Sequence, residues 1–481
     1  MSRRGGAPPP PRPGGRPRRA NSRGRDDVRT TAAWVVERTL DSRGPVDSFL
    51  ASAQDRFEDR DRALLNELVL GTLRWLRRID DVLARASHRP LAEVEPVLHG
   101  PLRVAAYQLL FLDRVPAHAA VHEAVEQAQA LTHRGAASFV NAVLRRIARQ
   151  RRLVDWPVEE PDAVRRLAIE MSHPDFLVRR WVERYGWQRT RRLLAANNRP
   201  KPLHLLAFRD RGGRELLAEG LIDDGVEVEP SPLSLLGLVV RAGDPFASAA
   251  FRRGDFYVQD EASQAAALVP PPSPGERVLD AAAAPGGKAF AMLAWEPSIR
   301  AVASDLDAAR VAVLGANLRR LRRRVAVAVA DAGRLPFREG FDRVVVDLPC
   351  TGTGTLRKHP ELKWRVSEDE LGRLAAQGER LLAGGAEAVA PGGLLVAITC
   401  SLEPEENEAV AARFLAGRDD FAPLDLDGLL PPPLAPSVAG PGRWQVLPDG
   451  DHDGFTVSVL SRRAGRAKTR AAAGDSSSGP C

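Results

Sequence analysis

Two of the chain's three cysteines stand directly after apolar, β-branched runs that read as buried strands. Cys350 follows "FDRVVVDLP" and Cys400 follows "GGLLVAIT". Two thiols at the ends of parallel strands meet at one sheet edge, where they can act on one substrate. Taken singly, each fits a plainer reading as a buried structural cysteine, because free Cys is among the most buried residue types. A disulfide between them is not expected in a reducing compartment, and no CxxC or zinc-like spacing occurs. Cys481 closes a Ser- and Gly-rich tail and is read as incidental.

A second constellation lies upstream. The strand-like "ERVLD" runs into "AAAAPGGKAF", a Gly-containing turn that opens a helix, where a ligand can approach the backbone closely. This is neither GxGxxG nor a P-loop: Ala289 follows Gly287-Lys288 where Ser or Thr would stand, so dinucleotide and nucleoside triphosphate readings are weak. Acids recur at successive strand ends: Asp280, Asp305, Asp331 and Asp347. Any one of them alone is more simply a helix cap or turn residue. Together they have the layout of an S-adenosylmethionine pocket, with Asp305 placed for ribose hydroxyls and Asp331 for an adenine amino group. A methyl donor beside two thiols suits alkylation of carbon 5 of a cytosine. That carbon becomes nucleophilic only when a thiolate adds to carbon 6, and the adduct then needs help to lose the carbon 5 proton and expel the thiol.

These groups need a scaffold. From about 256 to 462, β-branched runs ("ERVLD", "RAVASD", "VAVAVAD", "DRVVVDLP", "GLLVAITC", "GFTVSVLS") alternate with Ala-, Leu- and Arg-rich helical stretches. That alternation predicts parallel βαβ units in a doubly wound, Rossmann-like α/β domain with its site at the carboxyl ends of the strands. Residues 28–150 read as an all-α domain. In it Leu64, Leu65, Leu68, Val69, Thr72, Leu73 and Leu76 share one helical face, and Phe139, Val140, Val143, Leu144 and Ile147 share another. Residues 151–255 read as a helical linker and a small mixed α/β subdomain. Residues 1–27, rich in Pro, Gly and Arg, and residues 463–481 read as disordered tails.

The motifs "LDAAAAPGGK", "DLPCTGTGTLRKHPELKWR" and "ITCSLEPEENE" closely resemble those of the NOL1/NOP2/Sun family of RNA cytosine-C5 methyltransferases. The helical segments "VLGTLRWLRRID", "LRVAAYQLLFLDRVPAHAAVHEAVE" and "FVNAVLRRIAR" resemble the NusB fold, a helical RNA-binding domain. The resemblance spans roughly residues 28–462. It implies a methyltransferase that uses S-adenosyl-L-methionine, with 16S rRNA as partner and one cytosine as target, position 967 in standard rRNA numbering. Carried over by residue, it makes Cys400 the nucleophile and Cys350 the residue that promotes release. It implies cofactor contacts from Ala282, Ala283, Ala284, Pro285, Gly286, Gly287, Lys288, Asp305, Asp331 and Asp347. Lys288 and Asp347 are also candidates to hold the base, since positive charge at ring nitrogen 3 favours addition at carbon 6. The chain departs from the family at Ala282, often Cys, at Thr351, more commonly Ser, and at "PLHLLAF", where an Arg-Val-Asn ending is usual.

The 481 residues suffice for two or three domains with cores of their own. No apolar run approaches the roughly 20 residues a membrane span needs, and the opening residues lack a secretory h-region, so a cytoplasmic protein is expected. The net charge of +7 is uneven. Residues 1–29 carry nine Arg against two Asp, and 461–481 carry five basic residues against one Asp, which leaves a net-negative body. Such tails suit loose contact with a polyanion, or are simply solvated. Of 64 Arg and five Lys, three of the lysines, Lys288, Lys358 and Lys363, fall within the chemical segments. A monomer without a metal is expected. The rivals are a tRNA cytosine methyltransferase and a non-catalytic NusB-like RNA-binding factor.

Overall fold

The computed structural model describes residues 27–42, 44–337 and 340–464; the two tail expectations lie outside this range except at its margins. The chain forms two units, one ending at Pro161 and the other beginning at Asp162.

The first unit is all helical among its described residues, with α-helices from Val28–Ser42 to Arg134–Arg149 around a core of its own. The apolar faces read from the sequence point inward: Leu65, Leu68, Val69 and Leu73, and likewise Val140, Val143, Leu144 and Ile147, are at most 3% exposed. The first face is not one helix, however. Asp59–Arg74 stops at Trp75, and Leu76–Ser87 starts anew. The Trp75 ring stacks on Phe111 with centroids 4.8 Å apart. A largely buried Arg103 holds Glu37 at 2.9 Å and Asp80 at 2.8 Å across three helices.

The second unit opens with helices Ala163–Glu170, Asp175–Tyr185 and Trp187–Asn197. A small antiparallel sheet follows, built from β1 (Leu203–Ala207), β2 (Glu227–Pro230), β3 (Gly237–Ala242) and β4 (Phe256–Val258) in the order β2-β3-β1-β4. The large sheet contains β5 (Arg277–Asp280), β6 (Arg300–Asp305), β7 (Ala326–Val329), β8 (Phe341–Asp347), β9 (Val389–Thr399), β10 (Phe421–Pro423), β11 (Val438–Gly440), β12 (Arg443–Val446) and β13 (Phe455–Arg462). Its order is β11-β12-β13-β9-β8-β5-β6-β7, with β10 on β13. The pairs from β7 through β6, β5 and β8 to β9 are parallel, as the alternating pattern predicts. Beyond β9 the sheet is antiparallel, so it is mixed rather than parallel throughout. Here "GFTVSVLS" reads like any other buried strand, and apolar content carries no strand direction.

The order reverses between β5 and β8, which places a crevice at their carboxyl ends. The residues after β5, β6, β8 and β9 converge there. No described helix is long and apolar enough to cross a membrane.

Candidate active site

Cys350 and Cys400 converge because their strands are neighbours in register. Asp347 of β8 faces Ile398 of β9, and the Leu348 amide donates to the Ile398 carbonyl at 2.8 Å, carrying the ladder past the strand end. The two Sγ atoms lie 3.4 Å apart, as free, half-buried thiols. The hydrogen bond to Cys400 raises the Cys350 thiol well above the ordinary range, with burial and the neighbouring Cys400, Glu406 and Asp347 charges adding to it.

Lys288, from the first turn of helix Gly287–Trp295, reaches across to Asp347 at 2.5 Å. Burial alone would lower its ammonium, but Asp347, then Cys400 and Asp280, leave it raised and therefore charged. The Lys288 Nζ also lies 5.4 Å from the centre of the Phe455 ring.

The upstream loop serves mainly through its backbone. The Ala283 amide donates to the Ser304 carbonyl and the Ala284 amide to Asp305 Oδ2 at 3.2 Å, tying the loop to the end of β6. Gly286 has φ of 119°, and a Cβ there would meet Phe290 at 2.3 Å, so only glycine permits this approach. Asp280 is buried and accepts from the Ala289 amide at 3.1 Å. Burial, then Asp347, pushes its carboxyl up to about 7. It supports the turn rather than lining the crevice.

A cleft of about 370 Å³ joins the pieces, within the range of small-molecule sites. Its walls include Ala282, Asp305, Asp331, Asp347, Cys350 and Cys400. Of the other candidates, Ala283, Ala284 and Gly286 are buried, Pro285 is exposed, and Gly287 and Lys288 are half-buried behind the wall. Asp331 accepts from the Gly333 amide and from Arg380 at 2.9 Å, and Arg380 holds its carboxyl below the usual range. Lys358 is exposed, and Lys363 is buried against the Ser172 carbonyl and Asn198 Oδ1, which makes the latter a structural cation.

Sequence reasoning missed several residues that shape this site. Glu406 accepts from both the amide and the hydroxyl of Thr351 at 2.7 Å, clasping the Cys350 loop from the segment that follows Cys400. Burial pushes Glu406 up to about 7 against the lowering pull of those hydrogen bonds. The Gly354 amide donates to the Cys400 carbonyl at 2.9 Å, and the Gly454 amide to the Gly354 carbonyl at 2.7 Å. Next to Gly454, Asp453 belongs to a buried cluster with Lys201, His204, Asp260 and Glu261, in which Lys201 Nζ meets Asp260 at 2.7 Å and also pairs with Asp453. His204 is the odd residue of "PLHLLAF". An acid three residues before Cys350, Asp347, was visible in the sequence; Glu406 was visible only as one of four acids in "EPEENE".

The family model for 16S rRNA methyltransferase RsmB/F matches residues 267–461, the NusB family model matches 27–149, and a ferredoxin-like domain of RsmF/B-like methyltransferases matches 173–246. A probable ribosomal RNA small subunit methyltransferase B of Bacillus subtilis is 34% identical over 85% of this chain and 92% of its own length. The ribosomal RNA small subunit methyltransferase B of Vibrio cholerae is 34% identical over 91% of this chain and 98% of its own. The crystal structure of PH0851 superposes with a TM-score of 0.73 at 26% identity, covering 91% of this chain and 99% of that one. A methyltransferase homologue from Pyrococcus horikoshii shares the fold at 24% identity and a TM-score of 0.52, over 63% of this chain and all of its own.

Proposed function

Because the chain belongs to the RsmB/F family of ribosomal RNA small-subunit methyltransferases, we propose that it methylates carbon 5 of one cytosine of 16S rRNA. The reaction runs through a covalent bond between Cys400 and carbon 6 of the base. The observation that carries this reading is the 3.4 Å separation of the two thiols at the crevice where Lys288 and Asp347 pair. Position 967 in standard rRNA numbering is the expected target, and the chain is expected to act in the cytoplasm as a monomer.

The donor set fits S-adenosyl-L-methionine. A buried Asp305 carboxylate, Asp331 held in place by Arg380, and the Ala282 backbone border the same cleft as the thiols. When bound, S-adenosyl-L-methionine supplies an electrophilic methyl group. Ala282–Lys288, Asp305, Asp331 and Asp347 would hold it.

The protein's own groups account for the remaining steps. Cys350, held protonated, donates to the sulfur of Cys400, the attacking group of the reaction. The Cys400 thiolate adds to carbon 6 while the Lys288–Asp347 pair lends a proton to ring nitrogen 3, which makes carbon 5 nucleophilic; nitrogen 3 hands that proton back to the pair when aromaticity is restored. After methyl transfer, carbon 5 carries one hydrogen too many for aromaticity. By then the Cys400 sulfur is a thioether, so the main influence raising Cys350 is gone and its thiol falls toward the ordinary range. As the thiolate, Cys350 takes the carbon 5 proton while the carbon 6–sulfur bond breaks and Cys400 leaves. The net change is one aromatic hydrogen exchanged for a methyl group, with one proton released. The target base must be unpaired or flipped to reach the crevice.

A denaturing gel of variants mixed with 16S rRNA and S-adenosylmethionine tests this account. Cys350→Ala should accumulate a slow-migrating protein–RNA adduct, and Cys400→Ala should give none. The reverse pattern would exchange the two roles, and methyl transfer by Cys400→Ala would sink the covalent mechanism. Labelled methyl groups should enter 16S rRNA and not bulk tRNA.

A further inference from the structure

We propose that the arginine-rich end of helix Ala308–Arg320, together with the depression beside it, is a docking surface for the phosphodiester backbone of RNA. The inference rests on the reading of RNA as the substrate, and it concerns the helix end that precedes the start of β7, away from the strand ends that bear the cysteines.

Residues 308–330 hold six arginines and no acid, within a body whose net charge is negative. Four of these, Arg319, Arg322, Arg323 and Arg324, line a surface depression of about 730 Å³ to which no acidic side chain contributes. Arg319, Arg322 and Arg324 are exposed, and no described acid pairs with them. Elsewhere on this unit exposed arginines do find acids: Arg277 with Asp342, Arg373 with Glu370 and Arg413 with Glu379.

The surface beneath is built rather than loose. Arg323 is locked by two 2.6 Å bonds to Asp210 and lies 4.2 Å from the Phe208 ring centre, which fixes one wall. Arg211 donates to the Leu321 carbonyl at 2.6 Å and so caps the helix end with another cation. Burial first, and then Arg323, hold the Arg211 guanidinium below its usual range, against the raising pull of Asp255 and Asp210.

A phosphodiester chain suits the site better than a single small anion, because the free guanidinium groups are spread over a six-residue ridge and planar forks match phosphate oxygens. The ridge adjoins the start of β7, and Asp331 at the far end borders the crevice. The four residues of β7 span about 13 Å. RNA whose target base enters the crevice therefore has flanking backbone within reach of the ridge.

The test compares wild type with Arg319→Gln/Arg322→Gln/Arg324→Gln, in full-length protein, by filter binding to transcribed 16S rRNA across a salt series. Each phosphate contact contributes about 0.7–0.9 to the slope of log affinity against log salt. Loss of three contacts should make the slope shallower by about two, raise the RNA KM at least tenfold, and leave kcat at saturating RNA and S-adenosylmethionine affinity unchanged. The corresponding triple Lys variant should restore most of the slope, which excludes misfolding as the cause. An unchanged slope and KM would overturn the proposal. So would a defect seen only with assembled small subunits and not with naked rRNA, which would assign the ridge to an acidic protein. Binding is read without turnover, so failure of the methylation chemistry would leave this result interpretable.

Discussion

At the scale of single residues, two chemically identical thiols have unequal surroundings. Cys350 is raised first by its hydrogen bond to Cys400 and then by burial, whereas Lys288 is coupled electrostatically to Cys400. The sign of the resulting dependence is definite: removing Cys400 removes the largest influence raising Cys350, so its titration moves down. In Cys400→Ala, alkylation of Cys350 by iodoacetamide should accordingly reach half its maximal rate at a lower pH than in wild type, read by mass spectrometry of the labelled peptide. An equal or higher midpoint would mean that burial, not the partner thiol, controls Cys350. The Lys288–Asp347 pair predicts a separate effect. Lys288→Met leaves a partly buried carboxylate unpaired next to the thiols, and kcat should fall by at least a hundredfold, whereas Asp331→Asn should act mainly on S-adenosylmethionine affinity. Steady-state kinetics with calorimetric cofactor titration separates the two.

Between elements, the crevice depends on loops held at backbone distance. Gly354 sits between the carbonyls of Gly454 and Cys400; a Cβ there would lie 2.3 Å from the first and 2.9 Å from the second. Neither neighbour is a flexible side-chain end, so one of the loops must move. Gly354→Ala should lower kcat at least tenfold by displacing Cys400, while S-adenosylmethionine binding, proposed for the loops after β5 and β6, should stay within twofold. Loss of both together would show that the loops move as one body. The Lys201–Asp260–Asp453 cluster secures the same chain one residue away, and it ties the segment preceding β1 to the segment preceding β13. Buried charges of this kind contribute little net stability but are costly to break, because removing one partner leaves another unpaired.

On the scale of the whole molecule, each unit has its own apolar core: one cluster draws only on residues 28–156, and the others begin at Leu167. Scanning calorimetry should therefore record an endotherm that departs from a single two-state transition, with S-adenosylmethionine shifting only the component from the second unit. One cooperative transition shifted as a whole would contradict independent cores. Much of this was legible in the chain itself. Cys350, Cys400 and the acids at strand ends stood out because strand-terminal positions carry function while the preceding β-branched residues mark the strand, and both signals are local. The helical faces of the first unit were readable for the same reason, apart from the break at Trp75. What local pattern could not carry was partnership. The antiparallel run from β9 to β13, the Glu406 clasp on Thr351, the Gly454–Gly354–Cys400 ladder and the burial of Lys363 all join segments distant in sequence. Periodicity registers which face of an element is apolar, but not which element will cover it. Sequence alone thus determined the types of chemical group and the strand ends that bear them. Tertiary structure decided which groups touch, because burial and hydrogen bonding exist only once the chain has closed on itself.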